Sequence, residues 1–218
     1  MKRNKNNNIS RMLLSMLALV LIASSCSDWT DVESLDINQN GLPEQNPALY
    51  AKYLENLRAY KESDHKQAYV WFDNSEKAPS SRAHHITDLP DSIDVVNMVY
   101  PGDLADFGLK DMEEIRSEKG TKIVYTVSYD AIKKQYDQMV IEETEKNENY
   151  VAPDFITYLK EHTQTELAYA NTYNYDGIIV GYKGLSTVYM TAAEKAAYQN
   201  AQEAFLQEIT TWQSANSG

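Results

Sequence analysis

Beyond residue 47 the apolar positions of this chain alternate between two spacings. Largely unbroken apolar runs at 68–72, 93–100, 122–127 and 177–182 read as strands buried on both faces. Between and around them, apolar residues recur at three- and four-residue intervals, the mark of amphipathic helices. Asn46 as cap and Pro47 at the first position open one such helix, with Leu49, Tyr50, Tyr53, Leu54, Leu57 and Tyr60 along a face. Residues 80–87 predict a short helix. Leu104, Leu109, Met112 and Ile115 form a stripe that Lys119-Gly120 ends. A helical piece at 129–144 leads into the polar loop Glu145-Lys146-Asn147-Glu148-Asn149. The next helix starts at Pro153 and carries Phe155, Tyr158, Leu159, His162 and Tyr169. The last opens on the capping box Thr191-Ala192-Ala193-Glu194 and places Tyr198, Ala201, Phe205, Ile209 and Trp212 on one side.

Four strand-helix units in a row predict an α/β fold with a parallel sheet covered by helices. An open doubly wound sheet and part of an eight-stranded barrel both fit that order. No strand is followed by a Gly-x-Gly-x-x-Gly turn or a Gly-Lys-Ser/Thr loop, so a nucleotide at the mouth of an open sheet has no support. The barrel is the better expectation, with about its first four β/α units present. Trp71, inside the first run, is expected in the core.

The first 47 residues read differently. Lys2, Arg3, Lys5 and Arg11 precede an apolar run from 12 to 23, then Ser24, Ser25 and the lone cysteine, Cys26. This is a secretory leader, too short for a spanning helix. Cys26 stands where a lipoprotein peptidase would cut, although Ala23 takes a place usually held by leucine, and ordinary secretion with a free cysteine stays open. Lipidation would anchor the protein to a membrane. The expected organisation is a signal peptide at 1–25, a lipidated cysteine and polar tether at 26–47, and one folded domain at 48–218. Outside the leader stand 16 basic against 32 acidic side chains, a surface that repels nucleic acid and anionic lipid but not neutral sugars.

Few constellations suggest chemistry. His84 and His85 are adjacent, so they diverge on helix or strand, and no cysteine or spaced carboxylate joins them into a zinc site. Asp111-Met112-Glu113-Glu114 lacks the alternating oxygens and central glycine of a calcium loop. Ser80-Ser81 has no nucleophile-elbow setting. No cofactor or metal is expected.

The segments Tyr69-Val70-Trp71-Phe72-Asp73-Asn74, Leu89-Pro90-Asp91-Ser92-Ile93-Asp94-Val95-Val96, Glu118-Lys119-Gly120-Thr121-Lys122 and Tyr175-Asp176-Gly177-Ile178-Ile179 resemble successive strand regions of family-18 glycoside hydrolases. More narrowly they are similar to chitinase-like and endo-beta-N-acetylglucosaminidase-like lipoproteins of Bacteroidetes glycan-utilisation systems. The likeness spans about residues 48 to 213. It implies a (β/α)8 TIM barrel with its site at the C-terminal strand ends, a fourth strand reading Asp-x-x-Asp-x-Asp-x-Glu, and a cell-surface lipoprotein of the outer membrane. In that pattern the glutamate protonates the leaving oxygen, and the preceding aspartate orients the substrate's own acetamido nucleophile.

Here the pattern starts with Asp176 and then fails: Ile179, Gly181 and Lys183 stand in place of the other three acids. A lysine charged near neutrality is a poor proton donor, and glycine stabilises no cation. The resemblance therefore implies an oligosaccharide-binding protein without hydrolytic power. Asp73, Asn74, Tyr100, Tyr129, Asp176 and Tyr182 are the candidate ligand contacts, since aromatic rings stack on pyranose faces and carboxylates or amides bind hydroxyls. An active hydrolase completed by a partner chain and an inactive truncated gene product are the alternatives. Half a barrel leaves exposed edge strands, met by self-association, by a covering helix, or by truncation of a longer gene; the stop directly after a helix favours the last.

Overall fold

A computed structural model describes residues 42–216. The chain divides into two compact units, 1–47 and 48–218. Of the first, the described residues hold the single helical turn α1, Leu42–Gln45, and Pro47, the first residue of the next helix. The leader and Cys26 lie outside the described residues.

The second unit follows α2 (Pro47–Glu62), β1 (Tyr69–Phe72), two short 3-10 turns, β2 (Val95–Met98), α3 (Asp106–Lys119), β3 (Lys122–Ser128), α4 (Tyr129–Lys146), α5 (Phe155–Thr172), β4 (Gly177–Gly181) and α6 (Ala192–Asn216). All strand pairs are parallel, in the order β1-β2-β3-β4. Sequential order decides between the two expected architectures. A doubly wound sheet reverses direction at a switch point, whereas this sheet advances one strand at a time, as in four units of a (β/α)8 barrel. Two crossovers depart from one helix per strand: β1 and β2 are joined through the two 3-10 turns alone, and β3 and β4 through a pair of helices, α4 and α5.

Local chemistry sets the boundaries. Ser128 caps α4 by accepting from the Ala131 N–H at 3.2 Å, and Asp154 caps α5 through the Thr157 N–H at 2.9 Å. Thr191 and Glu194 exchange backbone N–H and side-chain oxygen bonds of 2.8 and 3.3 Å, the reciprocal capping box that opens α6. Gly120 ends α3 at φ 68°, and a Cβ there would also sit 3.2 Å from Arg58. The segment expected as a short helix at 80–87 is instead the two 3-10 turns Arg82–His84 and Ile86–Asp88.

Register partners share a face of a pleated sheet. Val96, Met98, Ile123, Tyr125 and Val127 lie on one face and pack with Met112 and Ile115 of α3, Leu159, Leu167 and Ala170 of α5, and Phe205 of α6. Each Val, Ile, Leu, Met or Phe side chain among them contributes about 1.5–3 kcal/mol on burial. Tyr125 is anchored further: its hydroxyl donates to the Glu166 carbonyl at 2.7 Å and accepts from the Ala170 N–H at 3.1 Å.

Two expectations about faces change. Of the α2 stripe only Leu54 is buried. The helix is held instead through its polar side, where Lys61 donates to Ile93 O and Thr121 Oγ1, both at 2.7 Å, and Arg58 donates to Glu118 O at 2.7 Å. Long basic side chains there satisfy carbonyls near the N-terminal strand ends, which apolar ones could not. Trp71 is not in the core; it is 67 % exposed on the edge strand β1, on the sheet face away from the helices.

Candidate functional site

The sheet face opposite the helices carries Tyr69 and Trp71 of β1, Val95 and Asn97 of β2, Val124, Thr126 and Ser128 of β3, and Gly177, Ile179 and Gly181 of β4. In a closed barrel this face is the interior. Ile179 and Gly181 therefore point where acids would have to stand, because residues two apart share a face. Asn97 is 1 % exposed; its Nδ2 donates to Thr126 Oγ1 at 2.7 Å, leaving Oδ1 without a partner among the described residues.

Gly181 is more than a missing carboxylate. A Cβ built there would lie 3.0 Å from both Ser128 Cβ and Thr126 Cγ2 and 3.1 Å from Ser128 Oγ. Any side chain at 181 needs these two β3 side chains to give way by a few tenths of an ångström. Beside it, the Lys183 backbone N–H donates to Asp130 Oδ2 at 2.6 Å, so a carboxylate from the first turn of α4 is held at the end of β4.

The other sequence candidates separate into three groups. Asn74 and Tyr100 meet at the C-terminal ends of β1 and β2: Asn74 Nδ2 donates to Tyr100 O and the Tyr100 N–H donates back to Asn74 Oδ1, each at 2.9 Å. Tyr100 stays 46 % exposed, with its ring available. Asp73 accepts from the Ser75 N–H at 2.9 Å, and hydrogen bonding to Ser75 holds its carboxyl below the usual range. These three stand at the mouth. Tyr129 and Tyr182 follow the C-terminal ends of β3 and β4 but are spoken for. Tyr129 is 4 % exposed among Tyr182, Phe205, Phe155 and Tyr198, and burial pushes its phenol up to about 12. The Tyr182 hydroxyl pairs with that of Tyr198.

Asp176 is at the opposite end. It precedes β4, and its Oδ2 accepts from Arg116 Nε and from the Ile123 N–H, both at 2.7 Å. Those bonds fasten β4 to β3 and α3 at the N-terminal face, where a barrel residue serves stability. The family resemblance placed Asp176 among the ligand contacts as the first acid of the pattern; the fold puts the length of β4 between it and the mouth.

Asn97, Thr126, Ser128, Asp130 and Glu166 were not singled out by sequence, and Trp71 was assigned to the core rather than to the site. Asn97 had a usable signal, a polar residue amid an apolar run. Glu166 had none. This α5 carboxyl is partly buried, and desolvation pushes its pKa from 4.5 up to about 7, opposed by the Ser128 backbone N–H. Because β2 ends at Met98, opposite Tyr125, the last residues of β3 have no β2 partner, and Glu166 serves that orphaned end.

The sign of its pH effect follows from linkage. Between about 4.5 and 7 the folded state retains a proton that the unfolded state has lost, so this group lowers stability as pH rises through that window. Glu166→Gln is expected to be more stable than the wild type by about 1–3 kcal/mol at pH 8, a range reduced for residual solvent around the carboxyl. The gain should vanish at pH 4. Urea midpoints at the two pH values check this, and an equal gain at both would remove the cause.

Among the described residues no cluster of three or more His, Cys, Asp or Glu side chains could hold a metal ion. Residues 30–218 match the family model described as glycoside hydrolase family 18, BT1044-like. No curated protein matches the chain. Among solved structures, the selenomethionine form of a BT1044 variant is 18 % identical with a TM-score of 0.45, over 75 % of this chain and 53 % of that one. An endo-beta-N-acetylglucosaminidase from Cordyceps militaris, in complex with fucosyl-N-acetylglucosamine-Asn, is 16 % identical with a TM-score of 0.39, over 70 % of this chain and 47 % of that one. The chain thus spans about half the length of the solved structures it matches. With the match running through all four β/α units, this chain belongs to glycoside hydrolase family 18, in its BT1044-like group.

Proposed function

We propose that this protein is a non-catalytic, glycan-binding member of its family, held at the outer membrane by a lipid on Cys26 and directed at N-acetylglucosamine-containing oligosaccharides. The observation that carries the reading is the pairing of an exposed indole, Trp71, with a β4 that offers Ile179 and Gly181 on the same sheet face. An aromatic ring stacks on the apolar face of a sugar without any acid. Hydrolysis needs a proton donor and a group to orient the acetamide, and this β4 presents neither. Tyr100 and Asp73 at the adjacent strand ends add a second ring and a hydroxyl acceptor.

Calorimetry of the full chain against β-linked N-acetylglucosamine oligosaccharides and N-glycan cores tests the reading, with reducing-end release followed in the same samples. Measurable heat without release is the expected result. Absence of heat across the panel sinks the binding half, and release of reducing ends sinks the non-catalytic half. A second reading, a hydrolase completed by a partner chain, is favoured by one observation: among the described residues β1 and β4 each pair on one side only. Release that appears only when a partner is added would support it.

A further inference from the structure

The loop from β4 to α6 is fixed at both ends and presents an aromatic tip. At its start, the Lys183 N–H is held by Asp130, and the Tyr198 hydroxyl receives the Leu185 N–H at 2.8 Å while pairing with Tyr182. Gly184 makes the bend at φ 73°. At its end, Thr191 is locked into the capping box. Between these points the Met190 N–H donates to Thr187 O at 3.2 Å, closing a turn with Val188 and Tyr189 at its two central positions. Turn centres favour Gly, Asn, Asp, Ser or Pro for backbone reasons. Here they hold a β-branched and an aromatic residue, 78 % and 95 % exposed.

We propose that Tyr189 is a second stacking position for the glycan, engaging a ring remote from Trp71, so that the site takes an extended oligosaccharide. This inference rests on the glycan-binding reading above. The loop leaves the C-terminal end of β4, the end at which barrel sites are built. Adjacent strands lie ~4.8 Å apart, which puts β4, the strand that carries this loop, about 14 Å from β1 across the sheet, a span longer than a disaccharide. A ring held out on a tethered turn loses little freedom on binding. Uncharged sugar also suits a chain with 32 acidic against 20 basic side chains, which repels anionic surfaces.

The test compares the disaccharide and hexasaccharide of β-linked N-acetylglucosamine on the full chain and on Tyr189→Ala, Tyr189→Phe and Trp71→Ala. Tyr189→Ala should weaken the hexasaccharide about tenfold, an aromatic contact's worth, and leave the disaccharide and the unfolding midpoint unchanged. Tyr189→Phe should bind both as the wild type does. If Trp71→Ala loses both sugars while Tyr189→Ala loses neither, the second position is overturned and the glycan reading stands. Equal loss of both lengths in Tyr189→Ala also overturns it. If the wild type binds neither sugar, the glycan reading falls and takes this one with it. Reduced adsorption of Tyr189→Ala to phosphatidylcholine vesicles, with sugar affinity intact, would assign the tip to a lipid surface and overturn the proposal.

Discussion

Trp71→Ala is expected to weaken binding of N-acetylglucosamine oligosaccharides by between about tenfold and a hundredfold while barely moving the unfolding midpoint. Covering on the order of 100 Å² of indole face with a sugar ring is worth about 2.5 kcal/mol at ~25 cal/mol per Å², and each 1.4 kcal/mol is about tenfold in affinity. Stability should hold because the side chain is two-thirds exposed on an edge strand and supports little of the core. Asp176→Ala is the informative contrast. It leaves Arg116 and the Ile123 N–H without their acceptor, so it should cost about 1–3 kcal/mol of stability and leave sugar affinity unchanged. Titration calorimetry and urea unfolding on both variants check the pair. Affinity lost with Asp176 and kept without Trp71 would place the site at the wrong end of the sheet.

Putting the acids back is expected to fail. The triple variant Ile179→Asp, Gly181→Asp, Lys183→Glu should release no reducing ends and should unfold about 1–3 kcal/mol more easily than the wild type, the usual cost of overpacking. The reason is the three contacts of 3.0, 3.0 and 3.1 Å that a Cβ at 181 would make with Ser128 and Thr126. An aspartate there crowds the Ser128 and Thr126 side chains, and a shift of β3 or a rotation away from the interior to relieve that crowding misplaces the group that would orient the acetamide. Adding Thr126→Ser and Ser128→Gly removes each of the three atoms in the way, so the five-fold variant should regain packing that the triple one loses. Because Ser128 also caps α4, each variant is compared with its own background, the triple with the wild type and the five-fold with Thr126→Ser/Ser128→Gly; equal losses in the two backgrounds would mean that the crowding at 181 is not the cause. Turnover by the triple variant would show that β3 yields at little cost and that the missing acids alone silence this strand.

Much of the architecture was legible in local pattern. The Pro47 start, the Gly120 stop and the Thr191–Glu194 capping box are signals spoken by a few adjacent residues, and each sits at the element boundary observed. Faces were harder. Tyr69-Val70-Trp71-Phe72 is apolar at every position, with no alternation of polar and apolar residues to mark a face, so nothing in it said that Trp71 turns away from the helices while Phe72 packs with them. The α2 stripe misled for a related reason: helical spacing of Leu and Tyr describes a face but does not choose it, and the carbonyls near the N-terminal strand ends recruited Arg58 and Lys61 instead.

By itself the sequence determined the order of four β/α units, the family resemblance, and the presence of Ile179, Gly181 and Lys183 at the β4 positions to which that resemblance assigns acids. These depend on residue identity and short-range spacing, which the chain states directly. Only the tertiary structure decided that Asp176 belongs to the N-terminal face, that Trp71 and Asn97 lie on the face of the missing acids, that Thr126 and Ser128 fill the space at Gly181, and that Glu166 is a carboxyl desolvated beside Ser128. Each of these is a meeting between residues far apart in the chain. Strand register and helix packing create such meetings, and no local stretch of sequence encodes them.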